Sequence, residues 1–226
     1  MNPNIKEPTQ WTTEHPVPVG WMKQFRYFLS LFNKISNIQG DIVECGIGEG
    51  NTFTMLAYMV GSEETSFKRR LLGFDSFEGF PEPDVKDVSP REPQKGEWKI
   101  SEDMVHKRLE KSGILKTYPS LDFKITKGFL NEILPKFPES QIAFLHIDVD
   151  LYSGYRDALF HLFPKVASGG VILFDEYKDF PVEPLYGNGS IDKWPGCTQA
   201  VDEYFKDRPE KIQYYPEMKK YYVIKS

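Results

Sequence analysis

Apolar residues follow two rhythms along this chain. From 21 to 36 (WMKQFRYFLSLFNKIS) they recur at helical spacing, at Trp21, Phe25, Phe28, Leu29, Phe32 and Ile35. That spacing predicts an amphipathic helix packed on a core. From residue 41 the chain switches to short apolar runs separated by helical stretches. Strands are predicted at 41–46, 71–76, 122–127, 142–148 and 170–175, and helices at 51–60, 101–112, 129–134, 152–163 and 197–205. The runs at 142–148 and 170–175 are almost continuously apolar, as strands buried on both faces are. Ser101, with Asp103 in the turn after it, reads as the cap of its helix. Strands that alternate with helices imply a largely parallel sheet, because parallel neighbours need crossover connections. Two last runs, 212–215 and 221–224, flank a turn and predict an antiparallel hairpin. The expected fold class is α/β and Rossmann-like: a mostly parallel seven-stranded sheet with a C-terminal antiparallel hairpin and helices on both faces.

Polar segments interrupt this pattern. Residues 81–98 (PEPDVKDVSPREPQKGEW) are polar and rich in proline, and a second loop at 178–195 mixes proline, glycine and aromatic residues. Both read as surface lids over a site. Residues 1–40 are expected to form an N-terminal arm and helix serving as lid or oligomer contact, and 41–226 the main domain.

Composition narrows the function. The 226 residues suit one large domain. A net charge of −5 argues against nucleic acid as partner, since phosphate binding leaves a basic footprint. The first residues lack the basic-then-apolar pattern of a signal peptide, and no apolar run approaches the roughly 20 residues that span a bilayer. The expectation is a cytoplasmic enzyme with no membrane partner. Cys45 and Cys197 are the two cysteines, too few for a disulfide framework, and Cys45 sits in an apolar run as a packed thiol.

The chemistry gathers at strand ends. Glu44-Cys45-Gly46-Ile47-Gly48-Glu49-Gly50 follows the first strand and opens a helix. Glycines at 46, 48 and 50 permit a sharp turn and close approach of a ligand. A dinucleotide fingerprint would place its third glycine at 51, which is Asn. Glu44 would repel a pyrophosphate but attract the ammonium of a methionine moiety, so the loop favours S-adenosylmethionine over NAD. Asp75 ends the second strand, where a carboxylate accepts hydrogen bonds from ribose hydroxyls. A helix cap or turn is the plainer role for it.

Asp148 and Asp150 end the fourth strand, and Asp175 and Glu176 the fifth. If those strands are neighbours, Asp148, Asp175 and Glu176 converge, and their repulsion would raise their pKa values unless a hard cation such as Mg²⁺ intervened. Helix capping or solvent exposure is the plainer account of these acids. His146 lies within an apolar strand and reads as a core residue; His15, His106 and His161 show no metal-ligand spacing.

Four segments together resemble the macrocin O-methyltransferase (TylF/MycF) family: Glu44-Cys45-Gly46, the DSFEGFP run from Asp75 to Pro81, Asp148-Val149-Asp150-Leu151-Tyr152, and the run from Gly169 to Tyr177. The resemblance spans residues 41–205, and CTQAVDEYF at 197–205 is similar to the family's helix after the second lid. It implies a class I methyltransferase fold, S-adenosylmethionine as donor, Mg²⁺ as cofactor and a sugar or glycoside hydroxyl as acceptor. By position it implies Asp148, Asp175 and Glu176 as metal ligands, with Asp148 promoting loss of the hydroxyl proton. It implies Glu44, Gly46, Asp75 and Ser76 as donor contacts, and Gly128 and Phe129 on the adenine side. Where the family often carries two adjacent aspartates, this chain has Asp175-Glu176. The alternatives to O-methylation are a metal-independent or N-directed methyltransferase, an NAD-dependent oxidoreductase, and an inactive scaffold. A homo-oligomer is compatible with every one of them.

Overall fold

The computed structural model describes residues 19–65, 67–138, 140–179 and 192–226. The expected arm over 1–18 and most of the second lid fall outside these residues. Helix α1 (Val19–Phe32) leads into β1 (Asp41–Cys45), α2 (Asn51–Ser62) and β2 (Arg70–Asp75). Helices α3 (Glu102–Lys111) and α4 (Ile114–Thr117), strand β3 (Asp122–Lys127) and the short α5 (Leu130–Ile133) follow. Next come β4 (Ile142–Ile147), α6 (Tyr152–Leu162), β5 (Val166–Phe174), α7 (Pro195–Phe205), β6 (Ile212–Tyr215) and β7 (Lys220–Ile224).

One seven-stranded sheet runs β3-β2-β1-β4-β5-β7-β6. The first five strands in that order are parallel, and β7 and β6 add as an antiparallel pair. The chain winds outward from β1 to β3 and then returns to place β4 on the other side of β1. That reversal opens a crevice beyond the carboxyl ends of β1 and β4, where ligands of open α/β sheets bind.

Both faces of the sheet are covered, which is why β1 and β4 are buried along their whole length. Ile42 and Phe144 pack with Phe28, Leu31, Phe53 and Leu56 from α1 and α2. Val43, Cys45, Leu145 and Ile147 pack with Tyr155, Leu159, Val201 and Phe205 from α6 and α7. The alternation of successive strand residues between two cores is the period-two geometry of a strand. No helix among the described residues is long and apolar enough to cross a membrane.

Several local expectations need correction. The fifth strand begins at Val166, four residues before its apolar run, because an irregular register against β4 carries Ser168 and Gly169 past the pairing. Helix α4 was not expected; its single turn is too short to show a period. Ser101 sits at the N-cap of α3, but its side chain makes no capping hydrogen bond. The polar 81–98 segment is anchored to the core: Asp87, only 3% exposed, accepts from the Tyr152 N–H at the start of α6 (2.8 Å) and from the Asp84 N–H (2.8 Å). A buried carboxylate inside a proline-rich polar stretch has no periodicity to announce it.

Arg69, at the foot of β2, ties the first helix to the sheet. Its guanidinium donates to the carbonyls of Ile35 (2.8 Å), Ile38 (2.6 Å) and Gly40 (2.9 Å), and to Glu63 (2.7 Å). The Ile35 carbonyl, which also accepts from the Ile38 N–H (2.8 Å), ends the first helical segment, and Ile38 and Gly40 lie in the loop that leads to β1. Replacing Arg69 with Met should remove the guanidinium from Glu63 and from the Ile38 and Gly40 carbonyls and cost about 3 kcal/mol. Urea denaturation would read this loss, and a change well under about 1 kcal/mol would show that the guanidinium is not the tie.

Candidate active site

A cavity of about 510 Å³ opens at the carboxyl ends of β1, β2, β3 and β4, a volume typical of small-molecule sites. Its wall includes Gly46, Gly48, Asp75, Ser76, Gly128, Phe129 and Asp148. A larger groove of about 890 Å³ lies between α1, α2 and α3, but none of the strand-end acids lines it.

The glycine loop is shaped by its neighbours. Gly46 has φ +84°, and a Cβ there would stand 1.6 Å from the carbonyl oxygen of Asp148. Only glycine lets β1 turn away this close to the end of β4. The Asp75 carboxylate then holds the loop from the side. Its Oδ2 accepts from the N–H groups of Ile47 (2.8 Å) and Gly48 (3.0 Å), and its Oδ1 from the N–H of Phe77 (2.7 Å). An ionised carboxylate has about four acceptor positions, so capacity remains for a ligand hydroxyl. The Ser76 hydroxyl donates to the Gly79 carbonyl (3.0 Å), and the Gly128 N–H to the Asp75 carbonyl (2.9 Å). Phe77 takes φ +53°, a backbone state that bulky residues rarely adopt and that clusters at functional sites.

Glu44 and Gly50 lie behind this wall, outside the cavity lining. Gly50 caps α2 in a left-handed conformation. Glu44 is fully buried on the α1 side of β1, 2.9 Å from Nδ1 of His146, and its Oε2 has no partner. Burial, reinforced by the charge of Asp148, raises the Glu44 pKa well above the usual carboxylate range. Burial also pushes His146 down to about 4, so the pair is held neutral.

The acids expected to converge divide into two groups that share Asp148, and each group includes a residue absent from the expected set. Ligand atoms of Asp148, Asp150 and Glu176 lie within 4.8 Å of one another, as do those of His146, Asp148 and Asp175. Parallel pairing of β4 and β5 sets this convergence, since Ile147 pairs with Phe174 immediately before both acidic ends. Asp150 has φ +58°, which turns the chain back over the cluster, and its N–H donates to Glu176 at 3.3 Å. The Tyr155 hydroxyl stands 2.6 Å from Glu176 and accepts from the N–H groups of Asp175 (3.1 Å) and Glu176 (3.3 Å). Nothing in local sequence marks Tyr155 or Lys220. Lys220, on β7, places its ammonium 3.0 Å from Asp175.

The charge balance is uneven. Burial and the charge of Asp175 raise Asp148 to about 7. Burial and neighbouring carboxylates raise Asp150 and Glu176 well above their usual values. Asp175 alone of the cluster is lowered: burial pushes it up, but the Lys220 ammonium and the hydrogen bonds from Lys220 and Glu176 outweigh that. A set of oxygen donors with more negative charge than the protein neutralises suits a hard divalent cation. Asp148, Asp150 and Glu176 fit that role by proximity; Asp175 already has an ammonium beside it.

A family model described as macrocin-O-methyltransferase (TylF) matches residues 21–209. A demethyldecarbamoylnovobiocin O-methyltransferase of Streptomyces niveus is 28% identical over 178 residues, covering 75% of this chain and 59% of the relative. An 8-demethyl-8-(2,3-dimethoxy-alpha-L-rhamnosyl)-tetracenomycin-C 4'-O-methyltransferase of Streptomyces olivaceus is 28% identical over 173 residues, covering 74% and 58%. The chain thus spans about three fifths of the length of the curated relatives it matches. Among solved structures, a calicheamicin methyltransferase superposes with a TM-score of 0.74 at 22% identity, over 94% of this chain and 87% of that one. At that identity the likeness concerns the fold, which is the class I methyltransferase arrangement.

Two outcomes follow from this geometry. Asp75→Ala, by releasing three loop N–H groups, should weaken S-adenosylhomocysteine binding at least about tenfold in calorimetric titration; unchanged affinity would remove Asp75 from the site. The raised carboxylates bind protons in the folded chain that the unfolded chain has already lost. With a chelator present, stability should therefore fall as pH rises from about 6.5 through the Asp148 value of about 7. His146, depressed by burial, costs stability only below its ordinary value near 6.5. Saturating Mg²⁺ should flatten the fall, as read from urea midpoints. A rise in stability over that interval without metal would contradict the charge balance described.

Proposed function

The chain belongs to the macrocin-O-methyltransferase family, and from that membership we propose that its site transfers a methyl group from S-adenosylmethionine to a hydroxyl of a sugar or glycoside with the aid of Mg²⁺. The observation that carries this reading is the meeting of the Asp148, Asp150 and Glu176 carboxylates within 4.8 Å, beside a cavity walled by a glycine loop. The relatives named for methylating novobiocin and rhamnosyl-tetracenomycin precursors support a glycoside as acceptor.

Gly46, Gly48, Asp75, Ser76, Gly128 and Phe129 would hold the donor, with Glu44 and Gly50 supporting the loop from behind. The Asp75 contacts shape the loop that would take the methionine portion, and the acceptor capacity left on its carboxylate would serve a ribose hydroxyl. With the donor bound, the acceptor oxygen would displace the sulfur at the methyl carbon, the electron pair of the broken C–S bond remaining on a neutral thioether. The hydroxyl proton would leave toward Asp148 or be released on binding of the acceptor oxygen beside the metal. A divalent ion bound by Asp148, Glu176 and either Asp150 or Asp175 would supply Lewis acidity to the acceptor oxygen. The protein's own contribution is alignment and exclusion of water, for which the 81–98 segment anchored through Asp87 is suited.

A metal-independent reading has two observations in its favour. Lys220 already neutralises Asp175, and Asp148 near 7 is by itself a competent base. Chelation separates the two. Transfer of radiolabelled methyl to a panel of glycosides should stop with EDTA and return with Mg²⁺; full activity in EDTA would select the second reading. Asp148→Ala should reduce turnover by about a thousandfold or more and leave S-adenosylhomocysteine affinity within a few-fold. Normal turnover in that variant would remove Asp148 from the chemistry, and failure of wild-type protein to bind S-adenosylhomocysteine would end the methyl-transfer reading itself.

A further inference from the structure

The 81–98 segment ends on an aromatic ring left open at the cavity wall. Trp98 lines the cavity and is 53% exposed. Scattered surface aromatics are ordinary, but this one is held in place. Its backbone has φ +59°, a left-handed state costly for a bulky residue. Phe80 packs at 5.2 Å between ring centroids and Trp194 at 5.8 Å, while the Arg91 guanidinium lies 4.7 Å from its ring centre. Arg91 is fixed in turn by its ion pair with Glu97. The Phe80 N–H donates to the Glu97 carbonyl (3.0 Å) and the Gly96 N–H to the Phe80 carbonyl (2.9 Å), closing the segment on itself. Backbone strain and three partners thus hold one large ring while leaving half of the residue's surface bare.

The ring belongs to the acceptor side of the cavity. Trp194 opens α7, next to the end of β5, and Arg91 is near enough to Asp150 to oppose the rise in its pKa. Asp75 and Gly128, the residues proposed for the ribose side, line the same cavity. Ser153, Arg156 and Asp157 of α6 also line the wall and offer polar groups. An immobilised indole beside such a set matches a pyranose, whose C–H face is apolar and whose rim carries hydroxyls.

We infer that Trp98 is the stacking platform for the pyranose ring of the acceptor and so helps determine which acceptors are used. This rests on the methyl-transfer reading and adds a residue to it. Rigid aromatic surface contributes contact at low conformational cost, since the ring is ordered before the ligand arrives.

The test is ligand-observed NMR titration of methyl β-D-glucopyranoside and methyl α-L-rhamnopyranoside into the protein saturated with S-adenosylhomocysteine, with acyclic sorbitol as control. At least one pyranoside should bind and sorbitol should not. Trp98→Ala should weaken that binding about tenfold, the size expected for one aromatic contact, and Trp98→Phe should keep it within about threefold. Calorimetry of S-adenosylhomocysteine with each variant shows that the fold and donor half are intact. Binding of neither pyranoside, equal binding of sorbitol, or undiminished binding by Trp98→Ala overturns the inference while S-adenosylhomocysteine still binds. Loss of S-adenosylhomocysteine binding in wild-type protein is instead the failure of the methyl-transfer reading.

Discussion

Asp148, Asp150, Asp175 and Glu176 stand at the ends of two adjacent parallel strands, close enough that all of them cannot be charged without a counter-ion. Most of the site is a response to that repulsion. Lys220 comes from β7, the antiparallel strand beside β5, and neutralises Asp175. Tyr155 reaches from α6 to Glu176. His146 and Glu44 form a neutral buried pair beneath the cluster. What remains uncompensated, chiefly at Asp148, Asp150 and Glu176, is the attraction such a site holds out to a divalent cation.

The donor and acceptor halves are joined by main chain as well as by charge. The Asp148 N–H donates to the Cys45 carbonyl at 2.9 Å, and the Asp148 carbonyl occupies the space that a side chain at position 46 would need. The turn of the glycine loop and the direction of the Asp148 backbone are therefore one packing arrangement. A shift of either would displace the donor against the acids, and alignment of the reacting atoms is the protein's main contribution to a direct displacement.

Where the site was legible beforehand, each residue carried a local mark. The glycine loop after a strand, Asp75 at the next strand end and the paired acids after β4 and β5 are all readable from order and spacing. The residues that were not legible act at a distance. His146 looks like a core residue because its strand is apolar, and it is one, yet its ring also approaches Asp148 and Asp175. Lys220 is 45 residues from Asp175 along the chain. Trp98 and Asp87 lie in a segment whose composition says only that it is polar. Glu44 reads as a cavity carboxylate by position, while the alternation of β1 turns it inward to His146.

By itself the sequence determined the layered α/β architecture, the parallel sheet with its closing hairpin, and which strand ends carry acids, because periodicity and strand-terminal residues are local properties. Only the tertiary structure decided which acids keep their charge, since that depends on Lys220 arriving from β7 within a few ångströms of Asp175 and on how deeply each carboxylate is buried among the others. Coulombic and desolvation energies depend on separation in space and on burial, and neither quantity is a function of position along the chain.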